Sequence, residues 1–266
     1  MGPSFNEQFD QHGAWRRAFA QQLKQLAEWM SNHDLMDAAV QERLQRLEGQ
    51  VRTDKVMVAF VAEFSRGKSE LINAIFFADY GRRIMPASAG RTTMCPTELG
   101  YDSALPPSLR LLPIETRLQM QGLADWRLKP ERWVEIALDV NNADQIAKAL
   151  EKVSEIRRVS IEDARALGFW HDDLTDENPV PDVDGLVEVP MWRHALINIP
   201  HPLLKQGLVI LDTPGLNAVG AEPELTVNLI PQAHAVVFIL SADTGVTRSD
   251  LSIWREHLAT STDSMD

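Results

Sequence analysis

The chain has 266 residues, of which 26 are Lys or Arg and 38 are Asp or Glu, giving a formal net charge of −12. An acidic balance of this size excludes a general nucleic-acid binder, which needs a basic face to displace phosphate counterions. At 44% hydrophobic and 24% charged, the composition is that of one large globular domain or two small ones, not of a disordered, collagenous or rod-like chain. The longest apolar runs, at residues 56–62 and 235–240, are far short of the roughly 20 residues a membrane-spanning helix needs. The N-terminus has no basic stretch followed by an apolar one, and the one cysteine, Cys95, cannot form an internal disulfide. A reducing, cytoplasmic setting is expected.

Residues 5–48 are rich in Gln, Glu, Arg, Ala and Leu. Apolar positions recur at Phe19, Leu23, Leu26 and Met30, then at Met36, Val40, Leu44 and Leu47, the spacing of two amphipathic helices. Ser4 and Glu7 have capping-box spacing, and Ser31-Asn32-His33-Asp34 interrupts the pattern with residues that favour caps and turns. The mixed charge signs predict a packed helical hairpin instead of a membrane-lying helix. At Lys55 the period changes. Residues 56–61 form a continuous apolar run rich in strand formers, as a strand buried on both faces of a parallel sheet requires. A helix over about 69–77 follows, then strands at 195–199, 208–211 and 235–240, and a helix at 249–258. This alternation predicts a three-layer α/β domain with a mainly parallel sheet.

The stretch 102–193 differs in character, with strands expected at 109–112 and 133–140. One helix presents Ile146, Leu150, Val153 and Ile156 on a shared face behind an Asn142 cap, and a second, short helix opens at Ser160 and ends at Gly168. Residues 171–185 are acidic, carry Pro179 and Pro181, and read as an exposed loop. His171, Asp172 and Asp173 have metal-ligand chemistry, but adjacent residues in an acidic loop with no second ligand cluster are read as solvated.

Ala62-Glu63-Phe64-Ser65-Arg66-Gly67-Lys68-Ser69 fits the phosphate-binding loop pattern, with Ala where Gly is usual at the first position, and it stands between a buried strand and a helix as the mechanism demands. In such a loop backbone N–H groups and the helix N-terminus face the β-phosphate, and Gly67 lets the chain approach without a Cβ clash. Lys68 would neutralise the β/γ oxygens. Ser69 would offer its hydroxyl to Mg²⁺, an oxygen-seeking ion that keeps several waters and takes few protein ligands. Ala62, the smallest substitute for Gly, costs little provided its φ stays negative. The second element is Asp212-Thr213-Pro214-Gly215, at the C-terminal end of a predicted buried strand. Asp212 can hold a magnesium water and Gly215 can swing its N–H toward a γ-phosphate, which turns nucleotide state into loop conformation. Alone this would be a turn; with a phosphate loop on a neighbouring strand it is a GTPase switch signature.

With EFSRGKSELINAIF, RTTMCPTELGY, HALINIPHP, LVILDTPGLN and AVVFILSADTGVTRSD in place, the chain resembles the GTPase domain of the dynamin superfamily, bacterial dynamin-like proteins in particular, over about residues 56–258. Lys68 and Asp212 lie 144 positions apart (212 minus 68); small Ras-like GTPases place these motifs much closer, and an enlarged insert is typical of dynamins. The resemblance implies GTP as substrate, Mg²⁺ as cofactor, and hydrolysis to GDP and phosphate coupled to switch-loop rearrangement and self-association. It implies a nucleotide-binding set of Ala62, Glu63, Phe64, Ser65, Arg66, Gly67, Lys68, Ser69, Asp212 and Gly215, a metal set of Ser69, Thr93 and Asp212, and a catalytic set of Ser65, Arg66, Lys68 and Thr93. Thr93 matches the switch I threonine, with Thr92 as the adjacent alternative. Ser65 matches a position that helps arrange the catalytic centre, whereas Phe64 stands where eukaryotic dynamins carry glutamine. Arg66 either supplies transition-state charge from within the protein or faces solvent and pairs with Glu63 or Glu70.

No N/TKxD motif for guanine follows the strand at 235–240, so the C-terminal part of the GTPase domain and any later stalk are expected to be missing. The expected organisation is a helical segment over 1–52 and an incomplete GTPase domain over 53–266, with an insert at about 102–193. In the usual strand order residues 235–240 would form an open edge, and an apolar edge invites pairing with another chain. Two alternatives stay open: a nucleotide-gated interaction module with little hydrolysis, motivated by Phe64 and the absent base motif, and a P-loop ATPase. The expected partners are GTP, GDP and a second copy of the chain, with no nucleic acid. Membrane contact is expected only through regions outside this chain, placing the full-length protein in the cytoplasm or peripherally at a membrane.

Overall fold

In the computed structural model, which describes residues 5–33, 35–37, 40–41, 43–44, 47, 51, 55–62, 67–86, 95–172, 178–213, 233–240, 242–243, 245–247, 251 and 254–255, the apolar run after Lys55 is strand β1 (Val56–Ala62). It lies parallel to β8 (Leu208–Asp212) on one side and to β9 (Ala235–Ile239) on the other. The remaining strands of this sheet are β2 (Thr97–Gly100), β3 (Ser108–Pro113), β4 (Val134–Ala137) and β7 (Trp192–Asn198), in the order β4-β3-β7-β2-β8-β1-β9. The trio β8-β1-β9 is parallel as expected. Beyond it the sheet is mixed, because β2 runs antiparallel to β8 and parallel to β7, and β3 runs antiparallel to both β7 and β4.

Alternation along the strands sends side chains to two faces. One face sets Phe60, Leu99, Leu109, Ile197 and Ile210 against α2 (Lys68–Phe76) and α4 (Ala143–Glu151) through Ile72, Phe76, Ile146 and Leu150. The other sets Leu112 and Leu196 against Trp133 and against Trp126 of α3 (Leu123–Arg127). Helices therefore cover both faces, which makes three layers. Each fully buried Leu or Ile contributes about 1.5–3 kcal/mol to holding them together.

The insert follows its caps more closely than its expected lengths. Asn142 accepts the Gln145 N–H at 3.0 Å to start α4, and Ser160 Oγ accepts the Asp163 N–H at 3.0 Å to start α5 (Ile161–Ala166), with Gly168 at φ 80° just beyond. The helix expected to bury Ile156 stops earlier: α4 ends at Glu151, a 3₁₀ turn covers Lys152–Ser154, and Ile156 opens β5 (Ile156–Val159), which pairs antiparallel with β6 (Val187–Pro190). A distant strand partner and a second core of Val159, Ala164, Leu167, Phe169, Val187 and Val189 overrule the local helical spacing. The strand expected at 133–140 is likewise shorter, four residues of β4. Val180 and Val183 are exposed in the acidic loop as expected. Its described carboxylates, however, are matched: Arg158 pairs with Asp182 and Asp184, and Arg165 with Asp172. Among the described residues no group of three His, Cys, Asp or Glu could hold a metal; Asp173 lies outside them.

At the N-terminus α1 (Phe5–Asn32) ends where the Ser-Asn-His-Asp stretch foretold, with the His33 and Leu35 N–H groups both bonding back to the Met30 carbonyl. Asp37 Oδ1 accepts the Val40 N–H at 2.7 Å, and the described residues 40, 41, 43, 44, 47 and 51 are helical. Ser4 and most of the helix expected at 249–258 lie outside the described residues. No described helix is long and apolar enough to cross a membrane. A short helix, α6 (Pro202–Lys205), links β7 to β8 and buries Leu204.

β9 stands at the end of the sheet, with Val236 and Val237 each 38% exposed. Among the described residues its outer side has no strand neighbour, a geometry that templates pairing with another chain. Sedimentation of the wild-type chain is expected to show concentration-dependent association that Val237→Lys reduces. A wild type that stays monomeric across the same range would contradict edge pairing.

Candidate functional site

The site begins with register. β1 and β8 are parallel neighbours with Phe60 opposite Asp212, so the chain leaving β1 and the carboxylate ending β8 arrive at the same edge of the sheet. Ala62 is the last, buried residue of β1 and is extended, so its replacement of the usual glycine meets the condition of negative φ. Gly67 sits at φ 81° and starts α2. A side chain there would meet nothing within 4 Å, but the left-handed backbone would cost about 1–2 kcal/mol for any L-residue.

Lys68, the first residue of α2, reaches across to β8, where its Nζ lies 2.8 Å from Asp212 Oδ1. Both side chains are buried, at 10% and 2% exposure. The contact is an ion pair and not an aligned hydrogen bond: among the described residues neither the ammonium nor either carboxylate oxygen has a well-directed hydrogen-bond partner. Buried charges with unspent hydrogen-bonding capacity are costly. This is the pattern expected where a phosphate and a hydrated cation complete the shell. Half-buried Ser69 follows on the first turn of α2. The Ser69 hydroxyl and the Asp212 carboxylate suit Mg²⁺ with its own waters, which takes few protein ligands, and the Lys68 ammonium suits phosphate oxygens. Glu70, a sequence candidate for pairing with Arg66, is engaged by Arg83.

The structure thus brings Ala62, Gly67, Lys68, Ser69 and Asp212 to one sheet edge. Glu63, Phe64, Ser65, Arg66, Thr92, Thr93, Pro214 and Gly215 lie outside the described residues.

Several supporting residues escaped the sequence reading. Thr213 is fully buried and donates its hydroxyl to the Phe60 carbonyl at 2.8 Å, pinning the end of β8 to β1. Asn73 on α2 accepts the N–H groups of Ile84 and Met85 at 2.9 and 2.7 Å and donates to the Met85 carbonyl at 3.1 Å. An asparagine inside the apolar run Leu71-Ile72-Asn73-Ala74-Ile75-Phe76 was a legible signal, since a buried amide must find partners. Glu98 on β2 accepts from His194 Nε2 at 2.9 Å and from the Arg127 guanidinium. Burial by itself would raise its carboxyl pKa, but the hydrogen bond and charge of His194, followed by Arg127, hold it down at about 2.

The Dynamin family profile matches residues 58–265. The chain belongs to the dynamin family. A 62-residue stretch, 23% of this chain and 8% of the relative, is 36% identical to a bacterial dynamin-like protein of Nostoc punctiforme. Two solved chains, both described as belonging to an oligomerised bacterial dynamin pair with a mechanism for long-range sensing and tethering of membranes, align over 96% of this chain at 12% identity, with TM-scores of 0.49 and 0.47. This dynamin-family chain spans 37% of the length of each of those and 8% of the Nostoc relative. The α/β core around α2 and β8, with most of β1, lies within the stretch that the Dynamin family profile matches.

Proposed function

We propose that this dynamin-family chain binds GTP in a Mg²⁺-dependent way and hydrolyses it to GDP and phosphate, coupling turnover to switch-loop movement and self-association. The observation that carries the reading is the buried Lys68–Asp212 juxtaposition at the C-terminal ends of two parallel strands, 2.8 Å apart and without aligned hydrogen bonds. On nucleotide binding Lys68 turns from Asp212 to the β/γ oxygens, and Gly67 admits the phosphates close to the backbone. Ser69 and Asp212 would hold Mg²⁺. The ion, when bound, neutralises charge on the phosphates. Thr93 would join the metal set in the triphosphate state, Gly215 turns its N–H to the γ-phosphate, Ser65 helps arrange the catalytic centre, and Arg66 supplies charge to the transition state. Residues 1–52 serve as a helical bundle element beside the GTPase domain of 53–266, and the open β9 edge supports association with a second copy.

A titration of the whole chain with fluorescent GTP in Mg²⁺, competed by unlabelled GTP or ATP, tests this. Competition by GTP alone, lost in EDTA, is expected. No binding by a folded chain, or equal competition by ATP, would overturn guanine-nucleotide recognition. Single-turnover hydrolysis then separates a GTPase from a nucleotide-gated binder, the reading that Phe64 favours.

A further inference from the structure

Glu98 poses an energetic question. It is a carboxylate on a central strand, with its side chain 7% exposed, and replacing such a buried ionic group with apolar residues is often neutral or stabilising. The group joins three elements: Glu98 on β2, His194 on β7 and Arg127, the last residue of α3 in the insert. The α3 end of this junction is itself firmly seated. Trp126 is 2% exposed, its carbonyl accepts the Trp133 indole N–H at 2.9 Å, and the Trp133 ring meets His194 edge-on at 6.3 Å.

On its other side β2 is the hydrogen-bonded neighbour of β8, with Thr97 opposite Asp212 and Glu98 opposite Leu211. Thr97, Leu211 and Asp212 are all buried, and Thr213 is tied to β1. A contiguous packed path therefore runs from α3 through Glu98 and β2 to Asp212. Packed strands shift together more readily than they deform one residue at a time, so coupling between the two ends would run along this path. Arg127 is the one member with substantial solvent access, its side chain 39% exposed, so it is the member that can release Glu98 without unpacking the sheet.

We propose that Glu98 and Arg127 are positioning residues for the nucleotide site: the seating of the insert, read through the Arg127–Glu98 contact and β2, sets the place of the Asp212 carboxylate and so the strength of the Mg²⁺ response. The proposal rests on the reading of Asp212 as the magnesium-side carboxylate. It makes the insert a regulator of the phosphate site although it supplies no residue to it.

The test uses the whole chain as wild type, Arg127→Met, Arg127→Lys and Glu98→Gln, each first shown to be folded by circular dichroism. Two readouts are taken. One is the ratio of fluorescent GTP affinity in Mg²⁺ to that in EDTA. The other is amide hydrogen exchange at Thr97–Gly100, Asp212 and Thr213 in metal-free, nucleotide-free protein. In Arg127→Met the affinity ratio is expected to fall by about tenfold, within the range that residues coupled to a site without touching its ligand produce, with affinity in EDTA unchanged. Exchange is expected to rise at Asp212 as well as in β2, and Arg127→Lys, which keeps the charge, is expected to recover most of both. A ratio unchanged in folded Arg127→Met, or a faster exchange confined to α3 and β2, overturns the coupling. If Arg127→Met does not fold, the same two readouts in Glu98→Gln and Arg127→Lys decide. If the wild type binds no guanine nucleotide, the reading of the site fails, and the exchange at Asp212 still decides whether the insert seats β8.

Discussion

Lys68→Ala is expected to weaken Mg²⁺-dependent GTP binding on the order of 100-fold, because it removes the one described cation that reaches the end of β8 and a charge-assisted contact is worth about 1.5–3 kcal/mol. The same substitution has a second consequence. Asp212 is 2% exposed, and taking away one partner of a buried ion pair costs about 3–5 kcal/mol because the other charge is stranded. The chain should therefore lose nucleotide binding and stability together, which by itself would confuse a binding role with a folding role. The double variant Lys68→Ala/Asp212→Asn separates them, since it leaves no stranded charge. Urea titration should show that it recovers a large part of the lost stability, and nucleotide titration should show that it recovers no binding. If Lys68→Ala binds GTP as the wild type does, the phosphate site lies elsewhere.

The second large effect is on acid stability. The carboxyl of Glu98 stays ionised down to about pH 2 in the folded chain, whereas an unfolded glutamate titrates at about 4.3. Below the unfolded value the unfolded chain takes up a proton that the folded chain refuses. The stability Glu98 contributes is thus fully present above about pH 4.3 and is lost as pH falls toward 2, in total on the order of 3 kcal/mol. Asp172 and Asp182 are also held below their usual range, by the Arg165 hydrogen bond in the first case and, in the second, against a burial effect that raises it, by hydrogen bonds from Leu186, Asp184 and Arg158. Those two sit at the surface, where added salt screens them. Urea unfolding between pH 5 and 2 in about 0.5 M salt should therefore isolate the Glu98 contribution. The expected result is a wild-type slope that flattens in Glu98→Gln. Equal slopes for the two would show that the buried group does not hold its charge.

The two effects differ in how far a sequence could foresee them. Lys68 and Asp212 were legible as chemistry, because a Gly-Lys-Ser turn after an apolar run and an Asp at a strand end carry their meaning within a few residues. Their strands were expected to be neighbours, but the contact itself was not legible, since it depends on the register of β1 against β8. Glu98 gave no signal at all. Thr97-Glu98-Leu99-Gly100 is too short and too polar to announce a buried strand, and its histidine partner is 96 positions away.

The same division runs through the fold. The residues alone determined the strand before the phosphate-loop sequence and the helix after it, the caps at Asn142 and Ser160, the stop at Gly168 and the break after α1, for each rests on local patterning, hydrogen bonds or steric rules that span a few residues. Tertiary structure decided that the sheet is mixed beyond β8, that Ile156 belongs to a strand and not to the helix before it, and that Asp172, Asp182 and Asp184 are answered by Arg158 and Arg165. Strand pairing and buried charge matching join residues far apart along the chain, so their energies appear only once the backbone has brought both partners to the same place.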